Sequence, residues 1–542
     1  MTNFDLSSQV FCFLKQAGVK SVIVCAGARN APLVLALEQH VDTFEVFQFF
    51  EERSAAFFAL GLIKAQSRPA AIIMTSGTAV AEVLPATIEA HYQGLPLIIV
   101  SADRPQNYRG TGAPQSIEQL EIFSGYVESV HDLNVHHKLE KIIWSQTKPL
   151  HLNICFDEPL IDYPSVDQQS VAEPFEDRLA INFQFTPTIE KLNNQNISLQ
   201  DLADFQQPLI IVGALESDQK EPVVEFILKN QLPVYAESLS QIRADVRVQK
   251  FLLEANDVFI ENQFKNQTLQ SVIRIGGVPT LRFWRDLEKK FQHIPVINIT
   301  HLPFTGLARS SHIKNFSILK KIAFNFSYEI FALLLTQSEN LKIEKQKLLK
   351  KYPQSEPALM SCLSQLINKR PVYLGNSLPI REWDQFADAK SEEICANRGA
   401  NGIDGQISTY LGYSQKHFES FCLVGDLTAL YDLASLGLSS QLQNNFRHIV
   451  VMNNFGGQIF NRIFKNKSVF TNPHKIEFKN WAQMWGWAYI KVTQPEEIMQ
   501  LESTSEFIEP KNSQFNQIVE IQPNLVQTEF FWKEWDQICQ KI

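Results

Sequence analysis

Asp426 and Asn454 place an acid and an amide at the ends of two apolar runs in FCLVGDLTALYDLASLGLSSQLQNNFRHIVVMNNFGGQIF, residues 421–460. Carboxylate and amide oxygens are hard donors, and such a pair suits Mg²⁺, which bridges protein oxygens to a diphosphate. Gly456 can add a main-chain carbonyl, and Gly456 and Gly457 allow unusual backbone angles and close approach of phosphate groups. The runs 421–424 and 448–452 read as buried strands, with a helical pattern from about 429 to 443 between them. That order is a βαβ unit, so the strands are expected to be parallel neighbours. Gly425-Asp426 and Asn453-Asn454 then share the carboxyl edge of one sheet, where open α/β sheets bind ligands. Taken singly, Gly-Asp ends a strand and Asn-Asn makes a turn; their pairing across one crossover is what points to metal and phosphate.

The rest of the chain supplies elements to hold that edge. Residues 1 to about 165 repeat a strand–helix rhythm, with apolar runs at 21–25, 45–49, 70–75, 95–101 and 150–155 and a helical pattern at 79–93. Such spacing implies a mostly parallel sheet covered by helices on both faces. From about 165 to 205 the composition turns polar and aperiodic, which reads as a linker crossing the surface. Strand candidates then recur at 209–212, 233–236, 258–261, 271–275 and 296–300. Gly276-Gly277 lacks the G-x-G-x-x-G pattern and reads as a plain strand-to-helix turn. A charged, solvated helix and turn at 338–356 marks a boundary, after which strands near 371–375, 393–395, 421–424, 448–452 and 516–521 repeat the opening rhythm. The fold class expected is α/β, with three doubly wound parallel-sheet domains at 1–175, 190–335 and 345–542.

Composition bounds the function. At 542 residues the chain has room for roughly three to four domains of about 150 residues each. Apolar content of 45% and charged content of 20% are ordinary for a soluble globular protein. A net charge of −9 argues against nucleic-acid binding. No apolar run is long enough to span a bilayer, so no integral membrane association is expected. The start, MTNFDLSSQVFCFLKQAGV, lacks a basic leader and reads as a capped amphipathic helix. The seven cysteines (Cys12, Cys25, Cys155, Cys362, Cys395, Cys422 and Cys539) are scattered, with no C-x-x-C spacing, and read as buried, reduced thiols. A cytoplasmic location follows from that reading. No metal site built from Cys or His is evident.

Gly425-Asp426, followed just under thirty residues later by Asn453-Asn454, resembles the signature of thiamine-diphosphate enzymes, with Leu427 where that signature has its second glycine. Within that superfamily GDLTALYD and NNFGGQIF resemble the MenD family, the 2-succinyl-5-enolpyruvyl-6-hydroxy-3-cyclohexene-1-carboxylate (SEPHCHC) synthases of menaquinone (vitamin K2) biosynthesis. The resemblance covers about 20–130 and 371–465; the middle domain matches in rhythm alone. It implies a pyrimidine-binding first domain, a middle domain and a diphosphate-binding last domain. It also implies a homodimer or a dimer of dimers, with active sites between a first domain of one subunit and a last domain of another.

The cofactors implied are thiamine diphosphate and Mg²⁺, with Mn²⁺ as an alternative, the metal held by Asp426, Asn454 and Gly456. Cofactor contacts would come from Glu52, Gly425, Asp426, Leu427, Thr428, Asn454, Gly456, Gly457, Gln458 and Ile459. Glu52, in FQFFEERSAAFFALGLIKA, falls where a strand ends and a helix begins, between apolar residues. A carboxylate there is desolvated and its proton affinity raised, which suits exchange with a ring nitrogen. Glu51 fits the plainer role of an acid favoured at a helix N-terminus. Glu52 matches the family's catalytic glutamate, Ile403 its wedge beneath the two cofactor rings, and Gln115 an amide that orients the acceptor and shares in proton transfer. Histidines 40, 91 and 151 read as ordinary core or surface residues.

The substrates implied are 2-oxoglutarate and isochorismate, both rich in carboxylates, which arginine holds best through paired charge-assisted hydrogen bonds. Arg29, Arg104, Arg381 and Arg398 stand at strand-to-loop junctions; any one of them alone reads better as a surface ion-pairing residue, and it is the four together that point to a carboxylate pocket. Arg282 of the middle domain and the hydroxyl of Ser377 complete the substrate set. Ala26, Ala28 and Pro114 depart from the family's Pro-Gly-Ser-Arg and Gly-Ala-Asn-Gln segments; the changes fall on acceptor binding and leave the cofactor machinery untouched. The reaction implied is a Stetter-like conjugate addition: decarboxylation of 2-oxoglutarate on the cofactor, then addition of a succinyl carbanion equivalent to the ring alkene of isochorismate. Two alternatives stay open: a simple 2-oxoacid decarboxylase or acetohydroxyacid-synthase relative, and a non-catalytic scaffold retaining the fold.

Overall fold

The computed structural model describes residues 1–136, 142–162, 205–309, 311–387, 391, 393–461, 464, 468–501 and 516–541. They build three wholly parallel sheets. The first holds β1 (Ser21–Cys25), β2 (Glu45–Phe49), β3 (Ala70–Met74), β4 (Leu97–Asp103), β5 (Val130–Asn134) and β6 (Leu150–Cys155), in the order β2-β1-β3-β4-β6-β5. The second holds β7 (Pro208–Val212), β8 (Val234–Ala236), β9 (Ser271–Ile275), β10 (Val296–Ile299) and β11 (His312–Lys314), in the order β11-β10-β9-β7-β8. The third holds β12 (Val372–Leu374), β13 (Ile394–Cys395), β14 (Glu419–Gly425), β15 (Phe446–Met452), β16 (Ala488–Val492) and β17 (Asn516–Ile521), in the order β13-β12-β14-β15-β17-β16.

The third sheet repeats the strand order of the first, and both reverse direction of build between their first and third strands. A crevice opens at such a switch point, outside the carboxyl ends of the strands. In the third sheet those ends carry Asn376-Ser377 and Gly425-Asp426; in the first they lead into Gly27 and Gly77. Central strands such as SVIVC and AAIIM are buried along their whole length, as expected where helices cover both faces.

Strands overlooked in the sequence are all edge strands: β5, β11 and β16. An edge is covered less, so VHDLN and AYIKV mix polar with apolar residues and give no continuous apolar run. The strand expected at 258–261 is instead part of the helix Asp257–Lys265. Asn256 caps it by accepting the Phe259 N–H, and Phe259, Ile260 and Phe264 bury one helical face, so a short apolar run that fits either period is settled by its cap. The helical pattern at 79–93 breaks into Thr78–Glu82 and Leu84–Gln93, with Pro85 at the start of the second piece. The pattern at 429–443 becomes a short helix, Asp426–Tyr431, and a 3₁₀ run, Leu433–Gln441, that includes Gly437. The charged helix begins earlier than expected, at Tyr328–Lys351, and buries Leu334, Leu341, Lys345 and Leu348 rather than being solvated all round. The linker at 165–205 falls almost wholly outside the described residues.

Thr2 and Asp5 form a capping box on the opening helix, Asn3–Gln16. None of the seven cysteines forms a disulfide, but Cys12, Cys362 and Cys395 are partly exposed rather than buried. Among the described residues no helix is long and apolar enough to cross a membrane.

The described residues divide into two compact units. One comprises those of Met1–Glu190, Asn397–Phe418 and Thr428–Asn445; the other those of Lys191–Ala396, Glu419–Leu427 and Phe446–Ile542. In the first unit the helix Glu52–Gln66 packs on the helix Gln406–Tyr413 so closely that a side chain has no room. A Cβ at Gly61 would lie 2.0 Å from the Thr409 carbonyl oxygen, and one at Gly412 would lie 2.2 Å from that of Phe58. Gly61→Val is therefore expected to destabilise the protein by about 3 kcal/mol, the upper end for overpacking, because backbone atoms cannot step aside as side chains do. Urea unfolding measures the loss.

Candidate active site

In the second unit, the switch point of the third sheet gathers the acid–amide pair. The register of β14 with β15 sets Gly425 opposite Met452, so Asp426 and Asn453-Asn454 leave the sheet side by side. Asp426 is buried; its Oδ2 accepts the Gly456 N–H at 2.8 Å and its Oδ1 accepts the Leu427 N–H at 2.6 Å. His474 Nε2 lies 3.2 Å from the same Oδ2. Burial pushes the Asp426 carboxyl above its ordinary range, opposed by those backbone donors and by His474.

Asn454 is buried too, and its Nδ2 donates to both oxygens of Glu356, at 3.1 and 2.9 Å. Its Oδ1 is enclosed and accepts no hydrogen bond from the described residues. A bare buried carbonyl oxygen costs about 1–3 kcal/mol, and the cost is removed if that oxygen ligates a cation. Gly456 has φ +138°, and a Cβ there would lie 2.4 Å from the Thr471 carbonyl oxygen, so glycine is obligatory. Gly457 N–H bonds Thr471 O, and Gln458 Nε2 bonds Asn454 O at 3.0 Å, which tie the turn in place. Thr428 is buried, while Gly425, Leu427 and Ile459 are half-buried. Among the described residues no group of three or more His, Cys, Asp or Glu side chains gathers to hold a metal. The donors present are a carboxylate, an amide oxygen and a main-chain carbonyl, all hard oxygens that suit Mg²⁺ beside a diphosphate.

Glu356 and His474 are absent from the sequence-derived set. Glu356 opens the helix Glu356–Ile367 behind its Ser355 cap, so its type is explained locally, and nothing in SEPAL signals a partner 98 residues away. Burial pushes its carboxyl up to about 7, with the Asp426 charge adding and the Asn454 donor opposing.

In the first unit, Glu51 caps the helix Glu52–Gln66, accepting the N–H groups of Arg53 at 3.1 Å and Ser54 at 3.0 Å. Glu52 is thereby left free of the capping duty and is half-buried. Burial raises its pKa, with its own N–H opposing and the charges of Glu51 and Glu82 adding. Gln115 is exposed at φ +57°, and a Cβ on Gly77 would lie 3.2 Å from its Cα.

The loop bearing Arg104 and Gln115 is pinned at both ends. Arg109 forks onto Asp132 at 2.7 and 2.8 Å and reaches Asp103 at 3.1 Å. Gln119 Nε2 donates to Ala102 O at 2.9 Å and to Asn153 Oδ1 at 2.6 Å. Arg104 Nε itself donates to Pro114 O at 3.0 Å. His151 belongs to this buried network through Ser101 at 2.7 Å; burial pushes it down to about 3, so it stays neutral.

The stretch with Arg398 and Ile403 is held by two buried acids. Glu89 accepts Gly399 N–H at 2.8 Å and Ala400 N–H at 2.6 Å, and Asp432 accepts Ser408 N–H at 2.8 Å. Gly405 has φ +63°, and a Cβ there would strike the Phe57 ring at 2.0 Å, which identifies what its backbone lies against. Ile403 and Arg398 are half-buried. Arg29 is buried, 3.2 Å from Glu158 and 3.4 Å from Phe156 O, and so has partners within the chain. Ser377, half-buried at φ +78°, precedes the helix Leu378–Phe386, on which Arg381 is exposed; Arg282 is exposed, 3.7 Å from Asp286. Thus Asp426, Asn454 and Gly456 meet at one sheet edge, and Arg282 and Arg381 are not drawn into contact with them.

Two similar switch-point sheets, one ending in an oxygen-donor set for a cation and diphosphate, are the architecture of a thiamine-diphosphate enzyme. Residues 4–122 match the family model described as thiamine pyrophosphate enzyme, N-terminal TPP binding domain. The chain is 42% identical over 545 residues to the 2-succinyl-5-enolpyruvyl-6-hydroxy-3-cyclohexene-1-carboxylate synthase of Bdellovibrio bacteriovorus, covering 99% of each. It is 35% identical to the synthase of the same name from Akkermansia muciniphila (94% of this chain, 95% of that one) and 31% identical to that of Lysinibacillus sphaericus (90% of each). The chain belongs to the family of SEPHCHC synthases.

Proposed function

We propose that this chain decarboxylates 2-oxoglutarate on thiamine diphosphate and joins the remaining succinyl unit to isochorismate, releasing CO₂. Membership of the family along the whole chain supports the reaction, and the bare, buried Oδ1 of Asn454 beside Asp426 is the observation that carries the site. Asp426, Asn454 Oδ1 and the Gly456 carbonyl would hold Mg²⁺, or Mn²⁺ in its place, and the turn at Gly456-Gly457-Gln458 would receive the diphosphate. When bound, thiamine diphosphate supplies the carbanion-stabilising ring that the side chains lack. Glu52 holds or releases a proton at the pyrimidine, a task suited to a carboxyl whose proton affinity burial has raised. Ile403 would pack against the bound cofactor, and Gln115 would orient the acceptor. Arg104 and Arg398, with Ser377, Arg29, Arg282 and Arg381, are assigned to substrate carboxylates. The domains 1–175, 190–335 and 345–542 take pyrimidine-binding, middle and diphosphate-binding roles, an assignment supported by the shared strand order of the first and third sheets. The working unit is a homodimer or a dimer of dimers, as the family resemblance implies; equilibrium sedimentation reads this directly.

Arg398→Ala is expected to raise the KM for substrate roughly 10- to 100-fold, the worth of a charge-assisted hydrogen bond, with cofactor affinity little changed. Steady-state kinetics beside calorimetric titration of the cofactor separates the two; loss of cofactor affinity alone would remove Arg398 from the substrate set. The reading as a whole is tested by offering alternative donors. Turnover of 2-oxoglutarate, with pyruvate inert, is the expected result, and turnover of pyruvate alone would favour a simple 2-oxoacid decarboxylase.

A further inference from the structure

A side-chain amide is nearly symmetric in shape, and only its hydrogen bonds decide which end faces which neighbour. At Asn454 that decision is made by Glu356, whose two oxygens both accept from Nδ2 while Oδ1 is left bare. We propose that Glu356 is a positioning residue that turns the oxygen of Asn454, and not its nitrogen, toward the cation, and that it thereby requires an amide rather than an acid at 454. The proposal rests on the reading of Asp426, Asn454 and Gly456 as cation ligands.

Glu356 is well placed for the task because it cannot easily turn away. It is buried, it is the first residue of the helix Glu356–Ile367, and its own N–H donates to Thr528 Oγ1 at 3.0 Å. The helix N-terminus favours a negative charge there. An acid answered by an amide rather than by a base is costly to bury. That cost is offset when a cation lies beyond the amide, since carboxylate, amide dipole and cation then line up and the amide oxygen becomes a better donor. Partners that orient a ligand in this way change metal affinity about 10- to 100-fold. An aspartate at 454 would instead set acid against acid at hydrogen-bond distance, and one of the two would have to hold a proton.

The test measures Mg²⁺ and Mn²⁺ affinity by calorimetry and by Mn²⁺ paramagnetic resonance, with thiamine diphosphate present and no substrate. Circular dichroism confirms folding of each variant. Glu356→Gln and Asn454→Asp are each expected to weaken metal binding roughly 10- to 100-fold. The double variant, in which the introduced glutamine can donate its NH₂ to the introduced aspartate, is expected to recover most of the parental affinity. Recovery in the double variant is what a merely structural role for Glu356 would not produce. Parental affinity in Glu356→Gln, or a double variant weaker than either single one, would overturn the proposal while leaving the ligand reading intact. Should Glu356→Gln not fold, the double variant alone decides, near-parental affinity supporting the proposal and loss overturning it. Parental affinity in Asp426→Ala would overturn the ligand reading and the proposal together.

Discussion

Glu52→Gln is expected to leave thiamine diphosphate bound yet slow exchange of its C2 proton by roughly 10²- to 10⁴-fold, the usual worth of a general acid–base group. The substitution keeps the shape and removes only the titrating proton. It leaves the helix cap alone, because Glu51 and not Glu52 accepts the N–H groups of Arg53 and Ser54. Acid quench followed by proton NMR of the cofactor reads the exchange, and an unchanged rate would remove Glu52 from its role. Stability gives a second readout with a definite sign. Burial raises the Glu52 pKa in the folded state, so the native chain holds that proton more tightly than the unfolded chain. Such a group favours folding below its unfolded pKa, and the contribution is lost as pH rises through the folded value. Glutamine has no such loss, so at neutral and higher pH the variant is expected to melt at or slightly above the parental temperature. An activity lost without lost stability marks a functional rather than a structural residue.

Asp426→Ala is expected to weaken Mg²⁺-dependent cofactor binding by more than about 100-fold, beyond the range for residues that merely orient a ligand. The change removes the charged donor, leaves Asn454 Oδ1 without its partner ligand, and strips the Gly456 and Leu427 N–H groups of their acceptor. Part of any effect could arise from that lost backbone anchoring, so Asp426→Asn serves as the comparison: its single carbonyl oxygen can still accept one of the two N–H groups, but it lacks the charge. Calorimetric titration with and without Mg²⁺ separates them. Asparagine is expected to bind the cofactor nearly as poorly as alanine, while a near-parental asparagine variant would make the role of Asp426 a structural one.

How far the molecule can be read from its sequence follows from where each signal resides. β1, β9 and β17 begin and end where the sequence places them, because strands covered on both faces keep a continuous buried run in which even polar members such as Arg274 and Glu520 are enclosed. β5, β11 and β16 lie at sheet edges, where half the residues meet water, and their runs dissolve into their surroundings. The run at 258–261 is ambiguous until Asn256 is seen to cap a helix. The acid–amide pair is legible because both members sit at strand ends within one crossover. Glu51 and Glu52 are separable for the same reason, one suited to capping and the other left over. Glu356, His474, Glu89 and Asp432 carry no local mark, since each acts on residues brought to it by the fold; Glu89 holds Gly399 and Ala400 from about three hundred residues away. Arg29 looks ready for a substrate carboxylate, and the fold supplies Glu158 beside it.

The reaction proposed for this chain forms a carbon–carbon bond between a decarboxylated 2-oxoacid and isochorismate. The most direct test mixes the protein, thiamine diphosphate and Mg²⁺ with uniformly ¹³C-labelled 2-oxoglutarate, with and without isochorismate, and identifies products by mass. The expected products are labelled CO₂ and an adduct of isochorismate that carries every remaining labelled carbon. Labelled succinic semialdehyde with isochorismate untouched, or no labelled CO₂ at all, would contradict the proposed reaction.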